Sequence, residues 1–161
     1  MVRVLTAEGP CNPTTRGHTV KTTKIDFTSI TRQFFAAYDA HDVEGMLALC
    51  ADDAVGRYAP YGRNSVVPIR GGLDAIWRAF PQAVPNFRVE VVEMLAAENT
   101  VVIQTVMSGP MPADAPGIAK KGQVVFIPHA YFLRFNTQGK ICRLDAYWDN
   151  TVLNSIKPSA V

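Results

Sequence analysis

The sequence predicts an α+β fold in which three helices pack on one face of a curved antiparallel sheet. Apolar residues recur at spacings of three and four between Asp26 and Pro81, and four later segments are rich in Val, Ile and aromatic residues. Turn-forming residues separate these later segments, as is typical of strands. Helices followed by strands indicate an α+β domain. The chain has 161 residues, 48% of them hydrophobic, which suffices for one domain but not for two.

Two helices are predicted first, from apolar periodicity and from residues that cap helices. The first has Thr28 or Ser29 as its N-cap and carries Phe34 and Tyr38 on its apolar side. The second follows Asp42, which has the side chain of an N-cap. Both helices therefore present an apolar face to the predicted sheet.

A third helix, four strands and two terminal segments account for the remaining residues. The third helix covers residues 71–80 and stops at the following proline, and the stretch 51–62 before it holds at most a short strand. Residues 1–24 are polar and form an N-terminal arm, residues 25–157 form the domain, and residues 158–161 form a C-terminal tail. The predicted strands are 87–94, 100–107, 122–135 and 140–148.

Charge and composition argue against several classes of function. The net charge is only +2 and the basic residues form no stripe, so we expect no nucleic-acid partner. No apolar run approaches the roughly 20 residues of a membrane span, and the N-terminus lacks the apolar core of a signal peptide. Three widely separated cysteines suit a reduced compartment. We therefore expect a cytoplasmic protein with no membrane partner.

Motifs that hold cofactors or metals are also missing from the sequence. There is no glycine-rich phosphate loop, no nucleophile elbow and no spaced set of cysteines and histidines. The three histidines, His18, His41 and His129, are too dispersed to suggest a zinc site. The expectation is a cofactor-independent reaction without a metal.

Four stretches of the chain carry a resemblance to known proteins, namely residues 34–55, 70–80, 134–141 and 146–156. In this order and spacing they resemble the cone-shaped α+β barrel superfamily that includes nuclear transport factor two, ketosteroid isomerase, scytalone dehydratase and the SnoaL-like polyketide cyclases. The resemblance covers nearly the whole domain. It implies a deep apolar pocket between the helices and the concave sheet face, with dimerisation commonly on the convex face. Because members include isomerases, dehydratases, cyclases and adaptors, it implies a fold rather than one activity.

The catalytic residues of two related groups do not carry over to this chain. Three catalytic positions of the steroid isomerases fall on Phe34, Tyr58 and Tyr131, and all three residues differ from those of the isomerases. The catalytic histidine of the SnoaL-like cyclases also falls on Tyr131, and their aspartate falls near Ala146. Neither mechanism is therefore implied.

Scytalone dehydratase is more similar at one place. Its tyrosine–aspartate pair matches Tyr38 and Asp39, and its second tyrosine matches Tyr58 if one residue is inserted. In that enzyme the two tyrosines hold a water against the substrate carbonyl, and the aspartate orients a catalytic histidine. The resemblance implies similar roles here, although the histidines of the two chains do not align.

Strand alternation assigns faces to the polar residues of the last two strands. Side chains alternate across a strand, so His129 and Tyr131 share one face. If the hairpin at 134–141 aligns as in the isomerases, that face lines the pocket, and Asp145 and Tyr147 lie on the outer face. The predicted lining consists of Phe34, Trp77, Ile127, Leu133, Leu144, Ala146 and Trp148.

The predicted function is a cofactor-independent enzyme that acts on a small apolar, cyclic, carbonyl-bearing molecule by isomerisation, cyclisation or dehydration. His129 would be the general acid or base, because imidazole titrates near neutral pH. Asp39 would orient it, and Tyr38, Tyr58 and Tyr131 would polarise the substrate oxygen or hold a water. The structural alternative is that the histidine and the tyrosines are core residues with satisfied polar atoms.

A second class of function stays open at this point, namely a non-catalytic module that binds a small ligand or docks a partner. This chain has none of the catalytic aspartates of the related enzymes at the aligned positions, and their absence favours a non-catalytic module. In either class, an exposed apolar patch would remain in a monomer, formed by Phe126, Ala130, Phe132 and Tyr147. The sequence therefore predicts a homodimer through the outer sheet face.

Overall fold

The computed structural model describes residues 25–62, 65–114 and 119–149 and confirms the α+β class. The predicted N-terminal arm and C-terminal tail lie outside the described residues. A 3₁₀ turn, Ala59–Tyr61, and a wider turn, Ile69–Leu73, connect some of the regular elements. These elements are α1 (Phe27–Asp39), α2 (Val43–Ala48), β1 (Cys50–Tyr58), β2 (Val66–Pro68), α3 (Asp74–Ala83), β3 (Arg88–Ala97), β4 (Thr100–Pro110), β5 (Val124–Phe135) and β6 (Ile141–Trp148).

The strands form one mixed sheet in the order β2-β1-β6-β5-β4-β3. β1 runs parallel to β6, so the prediction of a purely antiparallel sheet is wrong at this pairing. The expectation of at most a short strand in residues 51–62 is also wrong, because β1 has nine residues. Asp52 and Asp53 are two consecutive exposed residues within a register shift. This irregularity hides the alternation by which a strand is recognised.

Capping side chains explain where the first two helices begin. The N-cap of α1 is Asp26, not either of the two residues predicted, and its carboxylate accepts the backbone N–H of Ser29 at 3.0 Å. Asp42 caps α2 as predicted and accepts the N–H of Gly45 at 2.9 Å. α3 continues through Pro81, which lies in its last turn and therefore does not break the middle of the helix.

The alternation predicted for β5 is confirmed. His129, Tyr131 and Leu133 are buried on the inner face, whereas Phe126 and Phe132 point outward and are exposed. The β5–β6 register places His129 opposite Trp148, Tyr131 opposite Ala146 and Leu133 opposite Leu144. The inner face of the last two strands therefore carries the side chains that parity assigned to it.

The opposite side of the sheet, here called the outer sheet face, is strongly apolar for an exposed surface. Asp145 is the buried charge on this face, and it pairs with Arg57 at 3.2 Å and with Arg143 at 2.7 Å. The exposed fractions of its large apolar side chains range from 39% to 64%. These side chains are Val92, Leu95, Val124, Phe126, Phe132 and Tyr147.

Candidate active site

Two tyrosines and a tryptophan meet in the interior through hydrogen bonds. Tyr58 ends β1, Tyr38 lies in the last turn of α1, and Trp77 lies in α3. The indole Nε1–H of Trp77 donates to the hydroxyl oxygen of Tyr58 at 2.6 Å, and the Tyr38 hydroxyl is hydrogen-bonded to the same group. None of the three residues is more than 6% exposed. Two helices therefore fix the position of the Tyr58 hydroxyl at the end of a strand.

The Tyr58 hydroxyl is arranged to donate its proton to a further group. Burial raises the pKa of Tyr58 to about 12 and raises the pKa of Tyr38 well above 10.0. The indole N–H of Trp77 acts against burial and lowers the pKa of Tyr58, because it donates to the hydroxyl oxygen. The indole of Trp77 can only donate. The Tyr58 oxygen thus accepts a hydrogen bond from Trp77, and the hydroxyl, which stays protonated, has one hydrogen to donate.

His129 has a defined tautomer. Its Nδ1 lies 2.8 Å from the carbonyl oxygen of Ile127, and a carbonyl only accepts, so Nδ1 carries the hydrogen. In the neutral ring Nε2 is then the acceptor, and His129 makes no second hydrogen bond within the described part of the chain. Burial lowers the pKa of His129 below its ordinary 6.5, although the bond to Ile127 acts in the other direction. At neutral pH the ring is therefore uncharged and able to accept a proton.

Tyr131 lies beside this imidazole with a hydroxyl that is poorly satisfied. The two rings stack with centroids 5.7 Å apart. Within the described residues, the hydroxyl hydrogen-bonds only to the Sδ of Met107, at 3.9 Å, and a thioether is a weak acceptor. Burial raises the pKa of Tyr131 well above 10.0, and the nearby Tyr58 raises it further. The hydroxyl stays protonated and is free to donate to a better acceptor.

Trp148 connects the imidazole to the tyrosine–tryptophan group. Its ring lies 5.1 Å from that of His129 and meets the ring of Tyr58 edge-on at 5.2 Å. Tyr61 covers the same indole at 5.8 Å and is itself 63% exposed. The structure thus brings together four of the five predicted catalytic residues, Tyr38, Tyr58, His129 and Tyr131.

The prediction for the fifth residue, Asp39, needs correction. Its carboxylate forms a two-point ion pair with Arg88, at 2.9 and 2.7 Å, and also accepts the backbone N–H of Val89 at 2.7 Å. The carbonyl of Ile127, not Asp39, orients the imidazole of His129. The sequence placed Asp39 next to Tyr38, but consecutive residues of a helix do not point the same way. Asp39 therefore holds α1 against β3.

Replacing Asp39 with alanine is expected to lower the free energy of unfolding by about 1–2 kcal/mol, because the N–H of Val89 loses its acceptor. The exposed ion pair to Arg88 adds little. The hydrogen bonds from Arg88 lower the pKa of Asp39 below 3.8, so this stabilisation is present above pH 3.8 and is lost as the pH falls through the lowered pKa. Urea unfolding between pH 2 and 7 measures it, with the exposed Asp53→Ala as control. Equal stability of both variants would contradict the role of Asp39.

The seven predicted lining residues divide into two groups by depth. Ile127 and Trp148 are partly exposed and lie beside His129. The other five are buried in the core, and none is more than 1% exposed: Phe34, Trp77, Leu133, Leu144 and Ala146. Only the first group is open to a ligand without movement of side chains.

Thr105 and Met107 are inner-face residues that the sequence analysis missed. Thr105 is 0% exposed, and its Oγ1 has no hydrogen-bond partner among the described residues. The signal was present, because the parity argument applied to β5 also puts Val101, Ile103, Thr105 and Met107 on one face of β4. A threonine in an otherwise apolar set of inward-facing residues identifies a polar position in the wall.

Residues 25–62, 65–114 and 119–149 contain no cluster of three or more His, Cys, Asp and Glu that could hold a metal ion. In these segments no helix combines the length and the apolar character needed to cross a membrane.

A family model for the SnoaL-like domain matches residues 31–144, which is most of the chain. The chain belongs to the SnoaL-like family. The resemblance found in the sequence is thereby confirmed, and so is the cone-shaped α+β fold. A search of curated protein sequences finds no match.

Solved structures similar to this SnoaL-like protein share its fold at low sequence identity. IdmH from Streptomyces antibioticus, a candidate polyketide cyclase, has a TM-score of 0.70 at 18% identity, covering 81% of this chain and 97% of that chain. AclR from Streptomyces galilaeus, a candidate hydroxylase, has a TM-score of 0.66 at 18% identity, covering 82% and 97%. A ketosteroid isomerase-like protein from Catenulispora acidiphila, in complex with trimethylamine, has a TM-score of 0.63 at 18% identity, covering 77% and 88%. This identity shows the fold alone.

Proposed function

We propose that this SnoaL-like protein is an enzyme that moves a proton on a small, apolar, cyclic molecule with a carbonyl or enol group, without a bound cofactor. One observation carries the proposal: the hydrogen bond from Nδ1 of His129 to Ile127 leaves Nε2 as a proton acceptor on the inner face of the sheet. The lowered pKa keeps that acceptor unprotonated at neutral pH. The similarity to IdmH, a candidate polyketide cyclase, supports this class of reaction.

In the proposed reaction, Nε2 of His129 takes a proton from the carbon next to the substrate carbonyl. The electrons of the broken C–H bond form the enolate, and negative charge develops on the oxygen. Tyr58 donates its O–H to that oxygen, while Tyr38 and Trp77 hold Tyr58 in place. Return of the proton to another carbon completes an isomerisation, and its transfer to a departing hydroxyl group completes a dehydration.

The test is exchange of the α-protons of 2-tetralone, an apolar bicyclic ketone, for deuterium in D₂O, followed by proton NMR. The protein should accelerate exchange above the rate in buffer with an equal concentration of free imidazole, because a positioned base is more effective than a dissolved one. Saturable binding of the ketone without acceleration would contradict the proposal and favour the second class of function, a ligand-binding module.

The outer sheet face favours a further part of the proposal, a homodimer. Its six exposed apolar side chains, defined above, form a surface that a monomer would leave in water. The ring of Phe132 lies edge-on to that of Tyr147 at 5.7 Å at the middle of this face. A second copy of the chain would cover the patch through the same residues on both subunits.

Light scattering at micromolar concentration should give twice the chain mass of 17.6 kDa. A lysine in place of Phe132 should yield monomers, because burying an unpaired charge in an apolar interface is unfavourable. The matched control is Ile76→Lys, since Ile76 is also exposed but lies on α3. A wild-type mass of one chain would refute the dimer.

A further inference from the structure

Thr105 stands out because its hydroxyl group is buried in an apolar wall. The residue is 0% exposed, and its Oγ1 makes no hydrogen bond with any described residue. Burying an unsatisfied hydroxyl costs free energy, and valine would fill the same space without that cost. The other inward-facing residues of this part of β4, Val101, Ile103 and Met107, are all apolar. The hydroxyl at this position therefore needs a partner that the described chain does not supply.

The neighbour of Thr105 across the sheet is His129. The two residues are directly opposite each other in the antiparallel β4–β5 pair, and both point inward. The Cβ atoms of such cross-strand pairs are about 4.5–5.5 Å apart. Among the described residues, the hydroxyl of Thr105 has no hydrogen-bond partner, and the adjacent imidazole is hydrogen-bonded only through Nδ1. Together the two side chains offer one hydrogen-bond donor, the hydroxyl of Thr105, and one acceptor, Nε2 of His129.

We infer that Thr105 and His129 form a two-point anchor for a single hydroxyl or enol oxygen of the ligand. The ligand O–H donates to Nε2 of His129, and a lone pair of the same oxygen accepts the hydroxyl hydrogen of Thr105. When the proton moves, the ligand O–H bond breaks, the Nε2–H bond forms, and the anionic oxygen still accepts from Thr105. This inference rests on the proposed function, because it uses His129 as the base.

The chemistry selects the class of ligand. A ketone or an ether oxygen can only accept, so it would satisfy Thr105 and leave Nε2 of His129 unpaired. A hydroxyl group both donates and accepts and can satisfy both. The anchor therefore selects the hydroxyl or enol form of an apolar ring over its ketone form. Neither Tyr131 nor His129 is held by a strong hydrogen bond to another side chain, so this part of the wall can adjust as a ligand enters.

The experiment compares 2-naphthol with naphthalene, which has the same rings without the hydroxyl, by fluorescence titration. Thr105→Val should weaken binding of 2-naphthol about tenfold and leave binding of naphthalene unchanged, because it deletes one hydrogen bond to the ligand. Thr105→Ser keeps the hydroxyl and should restore binding to within about threefold. Thermal unfolding of the free variants should show Thr105→Val to be at least as stable as the wild type, which excludes unfolding as the cause.

The failures of this inference and of the proposed function can be told apart. If Thr105→Val binds 2-naphthol as tightly as the wild type while His129→Gln binds it weakly, the role of Thr105 is overturned and that of His129 stands. Equal weakening for 2-naphthol and naphthalene would also overturn the anchor, because the effect would then come from packing. If the wild type binds no 2-naphthol, both the anchor and a pocket for apolar rings are refuted.

Discussion

Replacing His129 with glutamine should slow α-proton exchange of 2-tetralone by about 100-fold or more, because positioned general bases typically contribute at least this much. Glutamine is polar and similar in length, but its amide has no basic nitrogen. The lining formed by Ile127, Tyr131 and Trp148 would stay in place. Proton NMR in D₂O measures the rate. Exchange within about twofold of the wild-type rate would eliminate His129 as the base.

His41→Gln is the matched control for this substitution. The imidazole of His41 also contacts a backbone carbonyl, that of Phe87, at 3.1 Å, and it stacks on the ring of the same residue at 4.2 Å. It lies at the end of α1, outside the group that contains His129 and Tyr58. Exchange by this variant should equal that of the wild type as long as it is folded.

The same histidine sets the expected pH dependence. Burial lowers the pKa of His129 below 6.5, so the exchange rate should rise with pH up to a midpoint below 6.5 and then stay level. The free energy of unfolding should depend on pH in the same direction. The unfolded chain takes up the proton first, so this contribution to stability is complete above pH 6.5 and is lost as the pH falls through the folded pKa. Both trends should be absent from His129→Gln.

Removing the Tyr58 hydroxyl should have the second-largest effect. We expect Tyr58→Phe to lower the exchange rate by about 100-fold, the loss typical of removing one preorganised donor to an oxyanion. The substitution also leaves the indole N–H of Trp77 without its acceptor and the hydroxyl of Tyr38 without its hydrogen bond to Tyr58, so some loss of stability is expected. Rates are therefore compared at a temperature where both proteins are folded by circular dichroism. An unchanged rate would show that Tyr58 does not touch the reacting oxygen.

Two further substitutions separate the donor from its supports. Trp77→Phe removes one hydrogen bond to Tyr58 but leaves the Tyr58 O–H, so its effect on exchange should be smaller than that of Tyr58→Phe. Tyr147→Phe removes a tyrosine hydroxyl from the outer sheet face and should not change the rate. A larger effect from Trp77→Phe than from Tyr58→Phe would indicate that Trp77 acts through packing.

The inner face of β5 was predictable from sequence because strand alternation depends only on residue parity. His129 and Tyr131 could be assigned to one face without knowing which strands pair with β5 or which groups bind the two side chains. The partners themselves were less predictable. The bond from His129 to Ile127 joins residues two apart on one strand, and the bond from Trp77 to Tyr58 joins a helix to a strand end. The first bond depends on the rotamer of one side chain and the second on tertiary geometry, and periodicity encodes neither.

Two predictions from the sequence, the pairing of β1 and the role of Asp39, were wrong because local patterns do not show distant contacts. The parallel pairing of β1 with β6 was missed because Asp52 and Asp53 interrupt the alternation of β1 at a register shift. The role of Asp39 was misassigned because its partner, Arg88, lies 49 positions away, on a strand that folds back against α1. Local patterns could place both segments but could not show what they touch.

The most direct test of the central claim is nitrogen-15 NMR of the His129 ring during a pH titration, with His129→Gln used to assign the signal. If Nε2 of His129 is the base, we expect the neutral ring to carry its hydrogen on Nδ1 and to titrate below pH 6.5. This measurement needs no substrate. A neutral ring with its hydrogen on Nε2, or a midpoint above 6.5, would contradict the claim that Nε2 of His129 is the base.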